Sequence, residues 1–103
     1  MNIYDEIRTW ASLRGIYQSG DVKTQFVKLQ EESGELAKSI IKNDKEEFID
    51  AIGDCVVVLT NLAKLGSNHF DDETISIENC LISAYSEIKN RKGEMKNGSF
   101  VKD

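Results

Sequence analysis

At 103 residues, with a formal charge of −5 and a pI near 4.9, the chain is one domain near the lower size for a comfortable single core, so self-association is expected from the start. No sustained Lys/Arg face exists to displace phosphate counterions, which excludes a general binder of nucleic-acid polymers but leaves room for a small polyanion held through a divalent cation. The N-terminal Met1-Asn2-Ile3-Tyr4-Asp5 has no basic region followed by an apolar core, and no apolar run approaches the roughly 18 residues of a membrane span, so a cytoplasmic protein without membrane contact is expected.

The chain has no proline and no strand-like alternation, while apolar residues recur at spacings of three and four, so the expected fold is all-α. Ile3, Ile7, Trp10 and Ala11 mark a first helix that should fade at Gly15, and Ser19-Gly20-Asp21 supplies a turn and an N-cap. A second helix then begins near Val22, with the stripe Val22, Phe26, Leu29, Ser33, Leu36 and Ile40. At about 100° per residue, Glu32 borders that stripe, Glu35 lies further round and Glu31 is nearly opposite.

Lys42-Asn43-Asp44 makes a hairpin turn, and Asp44 followed three residues later by Glu47 fits capping-box logic for a third, antiparallel helix. Its expected main stripe is Ile49, Ile52, Val56, Leu59 and Ala63, yet Val57, Val58, Leu62 and Leu65 cover the other sides, as in a helix buried centrally or between subunits. Glu47, Asp50 and Asp54 share the face opposite that stripe, which continues as Val58 and Leu65. Ionised carboxylates running into a buried surface require a cation, a basic partner or protonation. Two acidic stripes on paired helices therefore suggest a metal site, and with His69 as the only histidine, all-carboxylate ligation favours Mg²⁺ or Mn²⁺.

Gly66-Ser67-Asn68 should end the third helix, and a fourth follows Asp71-Asp72 with the stripe Ile77, Leu81, Ala84 and Ile88. Lys89, Arg91 and Lys92 at its end complement the helix macrodipole or, alternatively, bind phosphate. Residues 93–103 read as a loop or closing flap, within a single domain spanning 1–103. Cys55 and Cys80 stand singly, without zinc spacing or disulfide density, and are expected as buried, reduced thiols.

These strings together resemble the MazG-like nucleotide pyrophosphohydrolases, in particular small phage-type members of the all-α NTP pyrophosphatase superfamily. The first acidic motif of that family stands here as Glu31-Glu32-Ser33-Gly34-Glu35 after Gln25-Phe26-Val27-Lys28-Leu29-Gln30, and the second as Asp50-Ala51-Ile52-Gly53-Asp54. Trp10-Ala11-Ser12-Leu13-Arg14-Gly15-Ile16 and Ile88-Lys89-Asn90-Arg91-Lys92-Gly93 are also similar. One departure stands out: the family usually carries a glutamate at the position of Ala51. Asp50 is then the natural substitute, and Glu47 the longer-armed reserve.

The pattern predicts a four-helix, MazG-like bundle whose second and third helices form the acidic hairpin, and the third helix, apolar on too many sides for a monomer of this size to cover, predicts a homodimer or dimer of dimers. The resemblance adds the chemistry. It implies Mg²⁺-dependent cleavage of a (d)NTP to the monophosphate and pyrophosphate, in house-cleaning or nucleotide-pool control. Glu32, Glu35, Asp50 and Asp54 would hold the metal, with Mn²⁺ as a substitute for Mg²⁺. Glu31 would orient the attacking water directly or at one remove, and Lys28, Lys89, Arg91 and Lys92 would grip the polyphosphate, the last three in reach from a neighbouring subunit. Trp10 would stack on the base or serve as core. On charge pattern alone, Glu31, Glu32 and Glu35 are equally a solvated face paired with Lys28 and Lys38, which keeps open a nucleotide-binding protein without turnover or a helical interaction protein.

Overall fold

Each long helix begins on a side chain that caps it, accepting a hydrogen bond from an otherwise orphaned backbone N–H. Asn2 caps α1 (Ile3–Leu13) through the Asp5 N–H at 2.9 Å. Asp21 caps α3 (Val22–Ile41) through Thr24 at 2.7 Å, Asp44 caps α4 (Lys45–His69) through Glu47 at 3.1 Å, and Ser76 caps α5 (Ile77–Ile88) through Asn79 at 3.1 Å. These come from a computed structural model that describes residues 1–103. Two of the caps, Asp21 and Asp44, and the start at Val22 agree with expectation. Gly15, at φ 78°, ends α1 in the left-handed region that glycine enters at no steric cost and starts the single turn α2 (Ile16–Ser19), which the sequence pattern does not announce.

The chain is mostly helical, but its helices do not close into a bundle within one copy. The backbones of α1, α3 and α5 each pack on α4 and not on one another, α3 against α4 being by far the most extensive pairing. The link between α1 and α5 is a side-chain bridge: Arg8 donates to both oxygens of Glu78 at 2.8 and 2.6 Å, and to Asp5 at 2.8 Å. That fork raises the Arg8 pKa, and hydrogen bonding to Arg8 lowers that of Glu78. Tyr17 on α2 donates to the buried Asn61 on α4 at 2.6 Å, and burial pushes its phenol pKa up.

The stripe expected at the core of α4 is not the buried one. Ile49, Ile52, Val56 and Leu59 are exposed, and the buried apolar residues of the helix are Ala51, Val58 and Leu65, on the face that also carries the acids. Both faces are apolar, so periodicity alone cannot choose between them. Position in the hairpin against α3 decides. The helix also runs past the expected stop at Gly66 to His69, because Gly66 and Ser67 are buried. A side chain at Gly66 would meet Ile75 at 3.8 Å, the distance of ordinary packing. Ser33, in the expected core stripe of this helix, is exposed; the buried serine is Ser39, which donates to the Leu36 carbonyl at 2.7 Å. Cys55 is half-buried and Cys80 exposed, so neither thiol is buried as expected.

The tail expected as a loop or flap is a β-hairpin, β1 (Gly93–Lys96) with β2 (Ser99–Lys102), in antiparallel register Gly93 to Lys102 and Lys96 to Ser99. Asn97 and Gly98 have φ of 52° and 84°, the positive pair that a two-residue type I′ turn requires. Neither strand comes within 8 Å, Cα to Cα, of any helix. No helix is long and apolar enough to cross a membrane.

Candidate functional site

The antiparallel α3–α4 hairpin brings the two acidic stripes to one opening. Glu32 and Glu35 from α3 and Glu47, Asp50, Ala51 and Asp54 from α4 line a cavity of about 160 Å³. The spacings explain the selection: 32 and 35 are three apart, and 47, 50 and 54 are three and four apart, so each set lies along one helix face. Ala51 is 4% exposed and borders the same opening. The position at which the sequence departs from the family motif thus faces the acidic cavity.

Glu31 is outside the cavity, one residue and about 100° round the helix from Glu32. Its side chain is 63% exposed, against 16% for Glu32. Lys28 connects the two, with its ammonium 3.3 Å from Glu32 and 3.6 Å from Glu31. Hydrogen bonding to Glu32 raises the Lys28 pKa, so this charge is held. Lys38 stands 3.8 Å from Glu35. The solvated-face pairs expected from spacing are therefore formed, but no basic side chain pairs with Glu47, Asp50 or Asp54. Such exposed i,i+3 and i,i+4 pairs each contribute only about 0.2–0.5 kcal/mol.

The donor set is carboxylate throughout, which suits a hard divalent cation. No three of these carboxylates converge as the ligands of one ion would, so ligation requires side-chain rearrangement, for which exposed rotamers on rigid helices leave room. His69 lies apart, edge-on to Phe70 with ring centroids 4.7 Å apart. Lys89, Arg91 and Lys92 follow α5 and line neither this cavity nor the one beside it.

A second cavity, of about 380 Å³, opens between α1 and α4, lined by Ile3, Glu6, Ile7, Trp10, Asp54 and Val57. It shares Asp54 with the acidic one. Trp10 is 45% exposed rather than core, and the Arg14 guanidinium lies 4.3 Å from its ring centroid, a cation–π contact. Glu6 is the residue here that sequence reasoning passed over. No local signal marks it, because its place depends on how α1 crosses α4.

No solved structure matches the chain. It is similar to the "Uncharacterized 18.2 kDa protein in rep-hol intergenic region" of Haemophilus phage HP1, 43% identical over 65 residues that cover 63% of this chain. The match spans 39% of the phage protein's length. The model of the MazG nucleotide pyrophosphohydrolase domain matches residues 21–95, a stretch that holds both acidic motifs, the whole α3–α4 hairpin and the basic cluster after α5. The chain belongs to the MazG nucleotide pyrophosphohydrolase family.

Proposed function

We propose that the chain is a Mg²⁺-dependent nucleoside triphosphate pyrophosphohydrolase that cleaves a (d)NTP between its α- and β-phosphates, releasing the monophosphate and pyrophosphate for house-cleaning or nucleotide-pool control. The observation that carries this reading is the gathering of five carboxylates on one cavity, three of them without a basic partner. Like charges so placed repel one another and favour a cation. Glu32, Glu35, Asp50 and Asp54 would hold it, with Glu47 in reserve. A bound Mg²⁺, or Mn²⁺ in its place, supplies neutralisation of phosphate oxygens and a water of lowered pKa.

The chain's own residues do the rest. Asp50 and Asp54, one turn apart on a rigid helix, hold their carboxylates toward the same opening. Lys28 keeps a positive charge beside Glu32 and would reach from there toward a phosphate oxygen. Glu31 acts one step removed, by fixing Lys28. Lys89, Arg91 and Lys92 would grip the polyphosphate from a second copy, since they do not line the cavity of their own.

Self-association as a homodimer or dimer of dimers is part of the reading. The buried apolar residues of a single copy are Ala11, Ala51, Val58 and Leu65 alone, while Phe26, Ile49, Ile52, Val56 and Leu59 are exposed, apolar surface that a second copy would cover. A second reading, a nucleotide-binding protein with weakened turnover, is favoured by Ala51 and by the lack of convergence among the acids. Release of pyrophosphate from a dNTP panel, with and without Mg²⁺, separates the two. Turnover that depends on the metal supports the enzyme; nucleotide-dependent thermal stabilisation without turnover supports the binder.

A further inference from the structure

We propose that the cavity between α1 and α4 is the nucleobase subsite, and that Glu6 makes it selective for bases presenting adjacent N–H donors, guanine above all. The inference rests on the reading of the acidic cavity as the triphosphate site and names the other half of the same substrate. Ile3, Ile7, Val57 and the Trp10 ring give the cavity apolar and aromatic walls, and its side-chain acceptors are the carboxylates of Glu6 and Asp54 alone, beside the one donor of the Trp10 indole N–H. That combination, flat apolar walls with a few placed polar groups, suits a heteroaromatic ring. Arg14 lies 4.3 Å from the Trp10 ring centroid, so a base that stacks on this ring would take the face opposite the guanidinium.

Position ties this cavity to the phosphate chemistry. Asp54 lines both openings, and Asp50 lies one turn further along α4, about 6 Å of helix rise. A ligand with a flat ring at one end, an anionic chain at the other and a sugar between them would span the two.

The selectivity follows from what Glu6 can do. An ionised carboxylate only accepts hydrogen bonds. Guanine offers it a ring N–H and an exocyclic amino group side by side. Adenine and cytosine offer one amino group next to a ring acceptor, whereas uracil and thymine set their single N–H between two carbonyl oxygens that a carboxylate repels. No basic side chain is paired with Glu6 to compete for its oxygens.

Trp10 is the only tryptophan, so its fluorescence reports this cavity. Titrating dGTP, dATP, dCTP and dTTP with Mg²⁺ into the full chain gives dissociation constants from the emission change, with pyrophosphate release followed in parallel. The wild type should bind dGTP about tenfold to a hundredfold tighter than dTTP, the size of one good bidentate base contact. Glu6→Gln, which offers a donor as well as an acceptor, should narrow that gap to about threefold or less. Val57→Phe fills the cavity with Glu6 still in place and should abolish the ranking. Equal constants for all four nucleotides, or a ranking that survives Glu6→Gln, would overturn the proposal. Ranked binding without pyrophosphate release from any nucleotide would sink the hydrolase reading while supporting the base subsite; release without ranked binding would sink the subsite alone.

Discussion

Ala51→Glu tests the acidic cavity most directly, because the substitution restores a carboxylate at a position that borders it. Its cost without metal can be worked from placement. Position 51 is four residues from Glu47 and three from Asp54, and like charges at those spacings each destabilise by about 0.2–0.5 kcal/mol. Ala51 is also 4% exposed, so the new carboxylate has to extend into the space faced by Glu32 and Glu35. Two unit charges about 6 Å apart repel by about 0.7 kcal/mol in bulk water and about 3 kcal/mol at an effective dielectric constant near 20. The sum is about 1–4 kcal/mol, which for a domain of this size lowers the Tm by about 4–30 °C.

Mg²⁺ reverses the sign if the residues form one site. A ligand at a hundredfold excess over its Kd stabilises the folded state by about 2.7 kcal/mol, enough to return most of the loss. The assay is thermal unfolding followed by far-UV circular dichroism, in EDTA and in millimolar Mg²⁺, with wild type and variant at one protomer concentration because association also moves the Tm. The variant should melt lower than wild type in EDTA and show the larger Mg²⁺ response. Equal melting curves in both buffers would refute the reasoning, since position 51 would then share neither charge nor cation with its neighbours.

Asp50→Asn and Asp54→Asn, each preserving size and helix, should cut Mg²⁺-dependent turnover by about a hundredfold or more with unchanged circular dichroism; a silent Asp50→Asn beside an inactive Asp54→Asn would pass the ligand role to Glu47. The Glu78 carboxyl, held below its ordinary value by Arg8, contributes stability that is full above the unfolded value near pH 4.3 and is lost as pH falls through the lowered value. Acid melting curves of Glu78→Gln should therefore lose part of the wild-type slope below about pH 4.5, keeping the part owed to Asp21 and Asp72, which Thr24 and Thr74 hold low in the same way. Leu59→Glu, in the exposed stripe of α4, should convert an oligomer to a monomer in sedimentation velocity, and a wild type already monomeric at micromolar concentration would end the assembly reading.

What could be read from the sequence was whatever depends on neighbours along the chain. The caps at Asp21 and Asp44, the glycine stop at Gly15 and the grouping of Glu47 with Asp50 and Asp54 are local, and each follows from spacing within a few residues. What could not be read depended on crossings. Periodicity shows that α4 is apolar on two faces but not which one α3 covers, so Val58 and Leu65 are buried while Ile52 and Val56 are not. Glu6 joins Asp54 at a cavity only through the placing of α1 on α4. The hairpin at the C-terminus is different, since Asn97-Gly98 is a legible turn signal. Its flanks offer no sustained alternation, and two four-residue strands with no helix beneath them carry little pattern to detect.

The alanine at position 51 also says something about how the hairpin bears its charge. Five carboxylates already face one small cavity with basic pairing at only two of them, and every further anion there weakens the α3–α4 packing on which most of the fold rests. A methyl group at 51 is instead buried in that packing. On the proposed reading, alanine at 51 would exchange affinity for a cation against stability in its absence, the usual direction of compromise between a charged site and the fold beneath it. A weaker metal site and a hairpin that holds together without metal would then be two consequences of the same residue.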